Sequence, residues 1–214
     1  MKFVVAFIFL FMVWNLQLQA QTTKKTTRSE YIKQVNKDRK QKDIDMKTGD
    51  HSHIAENEKP AFEKLNYFRP NPHFRKEAFF VRFDQATHFL MKTTTERLPE
   101  YSLYGVVKFR HKNKDYSLNV YQNIELVKKP GYEKHLFIPF NDRTNGNETY
   151  GGGRFLDVYE TGTDTLIIDF NLAYNPYCAY NHKYSCPIPP EANNLELKVK
   201  AGEKNFMKHT KQPR

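Results

Sequence analysis

The chain has 214 residues, 39% of them hydrophobic and 14% aromatic, with 17 Phe and 13 Tyr against a single Trp. That length suits one domain, and a core built from a few large rings excludes wholesale disorder, a collagen-like chain and a multi-span membrane protein. The formal net charge is +10, an excess that in an intracellular protein would point to nucleic acid.

Residues 1–20 read as a cleaved signal peptide. Lys2 supplies the charged start, Phe3 to Trp14 form an apolar run, and small Ala20 precedes polar Gln21. The run is shorter than the roughly 20 apolar residues of a membrane-spanning helix. The expectation is therefore an exported protein, periplasmic or extracellular, with no membrane span after leader removal. No Cys stands at the junction to carry a lipid. Losing Lys2 takes the charge to +9, and Lys198 to Arg214, with six basic residues against Glu203, holds +5 of it, which leaves +4 for residues 21–197. The excess is thus a solvated terminus, and no nucleic-acid partner is expected.

Residues 21–59 read as a flexible lead-in followed by a helix. Thr27 and Glu30 have capping-box spacing, and Tyr31, Ile32 and Val35 recur at helical intervals, which predicts a helix over 28–46. Its apolar face is thin beyond Lys37, leaving Ile44 and Met46 to pack. Gly49-Asp50 ends it, and His51 and His53 fall in a connector, where two His at this spacing read as a solvated loop rather than metal ligands.

Residues 60–204 read as a single β-rich domain and 205–214 as a basic tail. Segments 78–83, 102–109, 116–121, 135–140, 154–159, 165–170 and 195–199 are aromatic, β-branched or alternating. Turns are expected at His111–Asp115, Asn145-Gly146 and Thr161–Asp164, and Pro139 marks a strand edge or end. The fold class is mainly β (α+β): an antiparallel sheet curled into a barrel or sandwich, with one N-terminal helix. A hairpin of 154–159 with 165–170 would set Arg154 beside Asp169 to Asn171.

Two segments interrupt the strands. Asn141 to Arg154 gathers Asp142, Thr144, Glu148, Tyr150, Gly152 and Arg154 around three successive glycines, which permit a sharp bend or a close approach to the backbone. The charges then either pair locally or line a pocket in which Arg154 meets an anion. Asn171 to Pro190 has no plausible helix or strand, yet it is rich in Tyr and Asn. A loop of that length is expected to be ordered, with Asp169, Asn171, Tyr174, Asn175, Tyr180 and Asn181 presented at a surface or cleft.

The run Asp142-x-Thr144-x-Gly-x-Glu148-Thr-Tyr-Gly-Gly-Gly-Arg154-Phe-Leu-Asp157, then Asp169-Phe-Asn171-x-Ala-Tyr-Asn-Pro-Tyr-Cys178-Ala-Tyr-Asn181, then Cys186-Pro-x-Pro-Pro190 and Ala201-Gly-Glu-Lys204 resembles the bacterial and archaeal family catalogued as domain of unknown function 1684. The resemblance spans about 60–204, and the helix at 28–46 fits the family's usual start. His182 stands where Pro is expected, and Ala192 and Asn193 loosen the stretch after the Pro pair. The resemblance implies one fold and locates a site, but it assigns no catalytic residue and no cofactor.

Cys178 and Cys186 read as a disulfide in an exported domain, as part of a metal site with a further ligand such as His182, or as two buried thiols. Family members that lack a leader and keep this pattern imply the last two. Three functions stay open. One is a non-catalytic envelope protein binding a small or anionic ligand. Another is a hydrolase using Asp142, Glu148 and Asp169 as acid/base groups with Arg154 stabilising negative charge. The third is a metal or redox protein centred on the Cys pair. His88, His111, His135, His182 and His209 are scattered and read as surface or packing residues. No sequence feature bears on oligomeric state.

Overall fold

The computed structural model describes residues 26–50 and 52–206. The expected leader, the start of the lead-in, His51, His209 and the tail beyond Phe206 lie outside the described residues. Helix α1 runs Arg28–Thr48. Its capping box is formed as expected: the Glu30 amide donates to Thr27 Oγ1 at 3.2 Å and the Thr27 amide to Glu30 Oε2 at 2.8 Å. Only Val35 and Met46 are buried along it, while Ile44 stays exposed. So thin an apolar face cannot hold a helix by burial, and α1 docks instead through polar side chains. Tyr31 donates to Asp169, Arg39 to the carbonyls of Phe68 and Asn171, and Lys42 to Glu203.

Seven strands follow: β1 Arg75–Leu90, β2 Glu100–His111, β3 Lys114–Asn123, β4 His135–Asp142, β5 Arg154–Tyr159, β6 Thr165–Asp169 and β7 Asn194–Leu195. The sheet order is β5-β4-β3-β2-β1-β6, antiparallel throughout, with β7 alone parallel to β4. Because β5 and β6 are the two ends of that order and are joined by a short turn, the sheet curls into a nearly closed barrel. Leu118, Val120, Leu136, Ile138, Phe140, Leu156, Ile168 and Phe170 fill its interior. Lys112 and Asn113, both at positive φ, make the tight β2–β3 turn.

Three expectations change. β6 pairs with β1, Arg75 opposite Asp169, so β5 and β6 do not form a paired hairpin and Arg154 does not lie beside Asp169. The strand expected over 195–199 stops at Leu195, because the following segment turns its carbonyls onto Arg154: those of Val199, Ala201 and Glu203 all accept from the guanidinium. Pro139 sits inside a strand bonded on both sides rather than at an edge. Beyond the Tyr121–Phe137 pair, β3 and β4 part, and the buried Asn193 amide fills the wedge. It accepts from the Asn119 amide at 2.8 Å and donates to the carbonyls of Asn119 and Pro139 at 3.0 and 2.7 Å. The missing N–H of Pro139 therefore falls where no ladder partner is present.

Candidate functional site

The polar residues singled out in the sequence separate into three buried nodes. In the first, Arg154 has no exposed surface and donates to Asp142 Oδ2 at 2.7 Å. Asp142 Oδ1 accepts from the amide and hydroxyl of Thr144, at 2.8 and 2.7 Å, and from the Val199 amide at 3.1 Å. Gly153, at φ +87, could not carry a side chain here, since a Cβ would lie 2.8 Å from the Phe140 carbonyl. Local pairing, not an anion pocket, thus accounts for Asp142, Thr144 and Arg154. Glu148 lies outside the knot with Lys200 Nζ at 3.2 Å, and Gly152 faces the Tyr150 ring.

The second node is Asp169, which accepts from Tyr31 Oη and from the amide and side chain of Asn171. Asn171 in turn clamps the backbone of Asn71, accepting from its N–H at 2.7 Å and donating to its carbonyl at 2.9 Å. The third is Glu203, 1% exposed, which receives Lys42 Nζ at 2.6 Å, the Asn175 amide at 2.9 Å and the Tyr180 hydroxyl. Asn181 only caps the local turn, accepting from the Lys183 amide. These nodes tie the Tyr/Asn loop and α1 to the barrel. Their carboxylates do not share a cleft.

Cys178 and Cys186 are free thiols rather than the expected disulfide, with the Cys178 amide donating to Cys186 Sγ at 3.2 Å. Hydrogen bonds from Cys186, Tyr150 and Thr94 outweigh burial and lower the Cys178 thiol to about 6, while Cys186 is pushed up as the donor of the pair. Tyr150 Oη lies 3.7 Å from Cys178 Sγ, and its phenol is pushed up to about 12, first by burial. Among the described residues, no group of three His, Cys, Asp or Glu side chains converges as metal ligands would.

The cleft lies elsewhere, on the outer face of β2–β5. Strand registers set Tyr101 against Asn123, Tyr121 against Phe137, Phe137 against Asp157 and Pro139 against Phe155, so one row of side chains crosses four strands on the side away from the barrel interior. The Tyr/Asn loop folds over this row through a backbone bridge between Phe155 and Tyr174, which is why β4 is buried on both faces. Two adjoining depressions remain, of about 420 and about 550 Å³, and they share Asp157, Tyr174 and Tyr177. The larger is closed by α1 through Lys42, Asp45 and Met46.

At the junction His135 Nε2 donates to Asp157 Oδ1 at 3.0 Å and Tyr174 Oη to Oδ2 at 2.8 Å. The His135 side chain is 7% exposed and that of Asp157 40%, so the carboxylate is the member that faces solvent. His135 Nδ1 is buried with no partner, which favours the tautomer with the proton on Nε2. Burial and the Asp157 charge hold the Tyr174 phenol well above its ordinary value, so it remains a donor. Of the candidate site residues named from sequence, Tyr174 and Cys186 line this cleft. His135 was read as scattered, and Asp157 was passed over inside a strand. The available signal was a lone carboxylate between Phe155 and Tyr159 on the outward face of an alternating strand.

Among the described residues no helix is long and apolar enough to cross a membrane. The family model described as "Protein of unknown function (DUF1684)" matches residues 60–204. Among solved structures the chain is similar to an uncharacterised protein of Haloarcula marismortui determined by solution NMR, with 31% identity over 82% of this chain and 95% of that one and a TM-score of 0.64. No curated protein matches it. From the family match and a fold shared at this identity, the chain belongs to the DUF1684 family of proteins of unknown function.

Proposed function

We propose that this is an exported, non-catalytic protein that binds a small ligand in the cleft over β2–β5. The observation that carries the reading is the His135–Asp157–Tyr174 chain at the cleft floor. Three separate segments, β4, β5 and the loop, converge to fix one solvent-facing carboxylate among aromatic rings, a few placed polar groups in an aromatic pocket. Catalysis is less well served. Asp142 and Asp169 are saturated in separate nodes, and the second ring nitrogen of His135 is closed off from the cleft, so that imidazole cannot shuttle a proton to a ligand. Export rests on Lys2, the Phe3–Trp14 run and the Ala20-Gln21 junction.

A thermal-shift screen of metabolites grouped as amines, carboxylates, sugars and aromatic heterocycles tests the binding reading. At least one compound should raise the melting temperature of the native protein, since a ligand at about 100 times its Kd stabilises by about 2.7 kcal/mol. It should raise that of a Leu126→Trp variant, whose indole would narrow the smaller depression, much less. Equal shifts in both proteins, or no shift from any class, would refute the reading. Mass spectrometry of the N-terminus of the natively expressed protein checks the leader separately.

A further inference from the structure

We infer that the cleft takes an organic cation, an amine or quaternary ammonium whose charge meets the Asp157 carboxylate and whose body lies against the rings of Tyr101, Tyr174 and Tyr177. The inference rests on the ligand-binding reading of the same cleft and specifies its chemistry. Both groups that orient Asp157 donate to it through one N–H and one O–H. Tyr174 keeps its proton, and a second proton on His135 would bury an N–H with no acceptor. Among the described residues no Lys or Arg forms an ion pair with Asp157. Its charge is therefore held in place without being cancelled, at the meeting point of both depressions.

The walls suit the same class of ligand. Tyr101 packs on Phe137 at 5.8 Å between ring centroids, Phe155 on Tyr174 at 5.8 Å, and Tyr177 stacks on His53 at 3.4 Å. Ring faces carry the negative lobe of the aromatic quadrupole and attract cations, the more so when water is excluded. Burial first, then the nearby Asp157 charge, holds the Tyr177 phenol above its ordinary value, so these rings stay neutral.

Charge points the same way. In a chain of net charge +10, the larger depression carries Asp45, Asp50 and Asp157 against Lys42, and Lys42 is paired with Glu203 at 2.6 Å. Arg97, on the smaller depression, is turned onto the Ser185 carbonyl at 2.9 Å. A neutral ligand would strip water from Asp157 and leave its charge unpaired. A cation of matching size replaces that water and pairs the charge.

Benzylamine, benzyltrimethylammonium, benzyl alcohol and benzoate share one ring and differ in charge, and their binding to the full chain can be followed by calorimetry and amide chemical shifts. The two cations should bind at least about tenfold more tightly than the alcohol, with shifts centred on residues 135, 157, 174 and 177. Asp157→Asn should remove that preference, bringing the affinity of the two cations down to that of the alcohol. Tyr177→Leu, at a 41% exposed ring whose loss leaves the core intact, should weaken benzyltrimethylammonium more than the alcohol. Alcohol or benzoate binding as tightly as the amines would overturn the cation inference and leave a ligand site standing. Absence of cleft shifts with all four at millimolar concentration would overturn both.

Discussion

Arg154 is the largest fully buried side chain among the described residues, and its burial explains the glycine-flanked segment around it. A guanidinium taken out of water is tolerated only when its charge and most of its donors are matched, and here one carboxylate and three carbonyls satisfy both terminal NH2 groups, while Nε is buried without a partner. Its guanidinium carbon also lies over the Phe140 ring, 5.4 Å from the centroid. Arg154→Ala should cost about 3–5 kcal/mol, because it strands Asp142 in the core with no counter-charge. At about 2–4 °C per kcal/mol for a domain of this size, the melting temperature should fall by roughly 6–20 °C. A melt within a degree or two of the native one would mean that Asp142 finds water or a proton at little cost. Sequence marked Arg154 as unusual but not as buried. Three carbonyls from residues 199–203 supply most of its partners, and carbonyls leave no trace in side-chain pattern.

At the scale of elements, α1 was legible from its capping box and its Gly49 stop, whereas its mode of attachment was not. A helix with two buried apolar side chains reads as a free arm, yet Tyr31, Arg39 and Lys42 reach buried acceptors on segments more than a hundred residues away, apart from Phe68. The same contacts draw α1 across the Tyr/Asn loop and make it a wall of the cleft. Lys42→Met should therefore loosen the helix without unfolding the barrel. Glu203 keeps Tyr180 and the Asn175 amide, so the loss is that of a half-exposed cation from a buried carboxylate, about 1–3 kcal/mol. Hydrogen exchange should quicken along α1 and stay slow in β2 and β3. Unchanged exchange in α1 would show that Tyr31, Arg39 and the two buried apolar side chains anchor it without Lys42. Ligand affinity in the larger depression should fall in step with helix opening, since Lys42 also lies 4.9 Å from the centre of the Tyr174 ring.

For the whole molecule, the number and kind of strands were readable, because aromatic and β-branched runs separated by turn residues allow few other structures. Closure was not. Local pattern joins β5 to β6, but β6 pairs with β1 and the sheet's two ends meet at a turn rather than through a ladder. Nor did any local rule bring His135 to Asp157, which the β4–β5 register alone makes neighbours.

Curling so few strands needs a sharp bend. The ladders are irregular where β1 pairs with β2: β1 slips register between Arg82 and Thr87, β2 shifts against β3 between Leu103 and Gly105, and bulges of this kind bend a strand and increase local twist. Gly105 is required there, since a Cβ would sit 2.5 Å from the Val81 carbonyl and 2.8 Å from the Phe80 ring. Gly105→Ala must therefore push apart the two strands that connect one end of the sheet to the other. The cost expected for forcing a methyl group into packed backbone is about 1–3 kcal/mol, or roughly 2–12 °C in melting temperature. Because the barrel interior is one continuous cluster, the loss should appear as a single cooperative transition, seen alike by near- and far-ultraviolet circular dichroism. Two separated transitions would show that the β1–β2 bend unfolds on its own, and an unshifted melt that this pairing has slack that the close approach at Gly105 does not suggest.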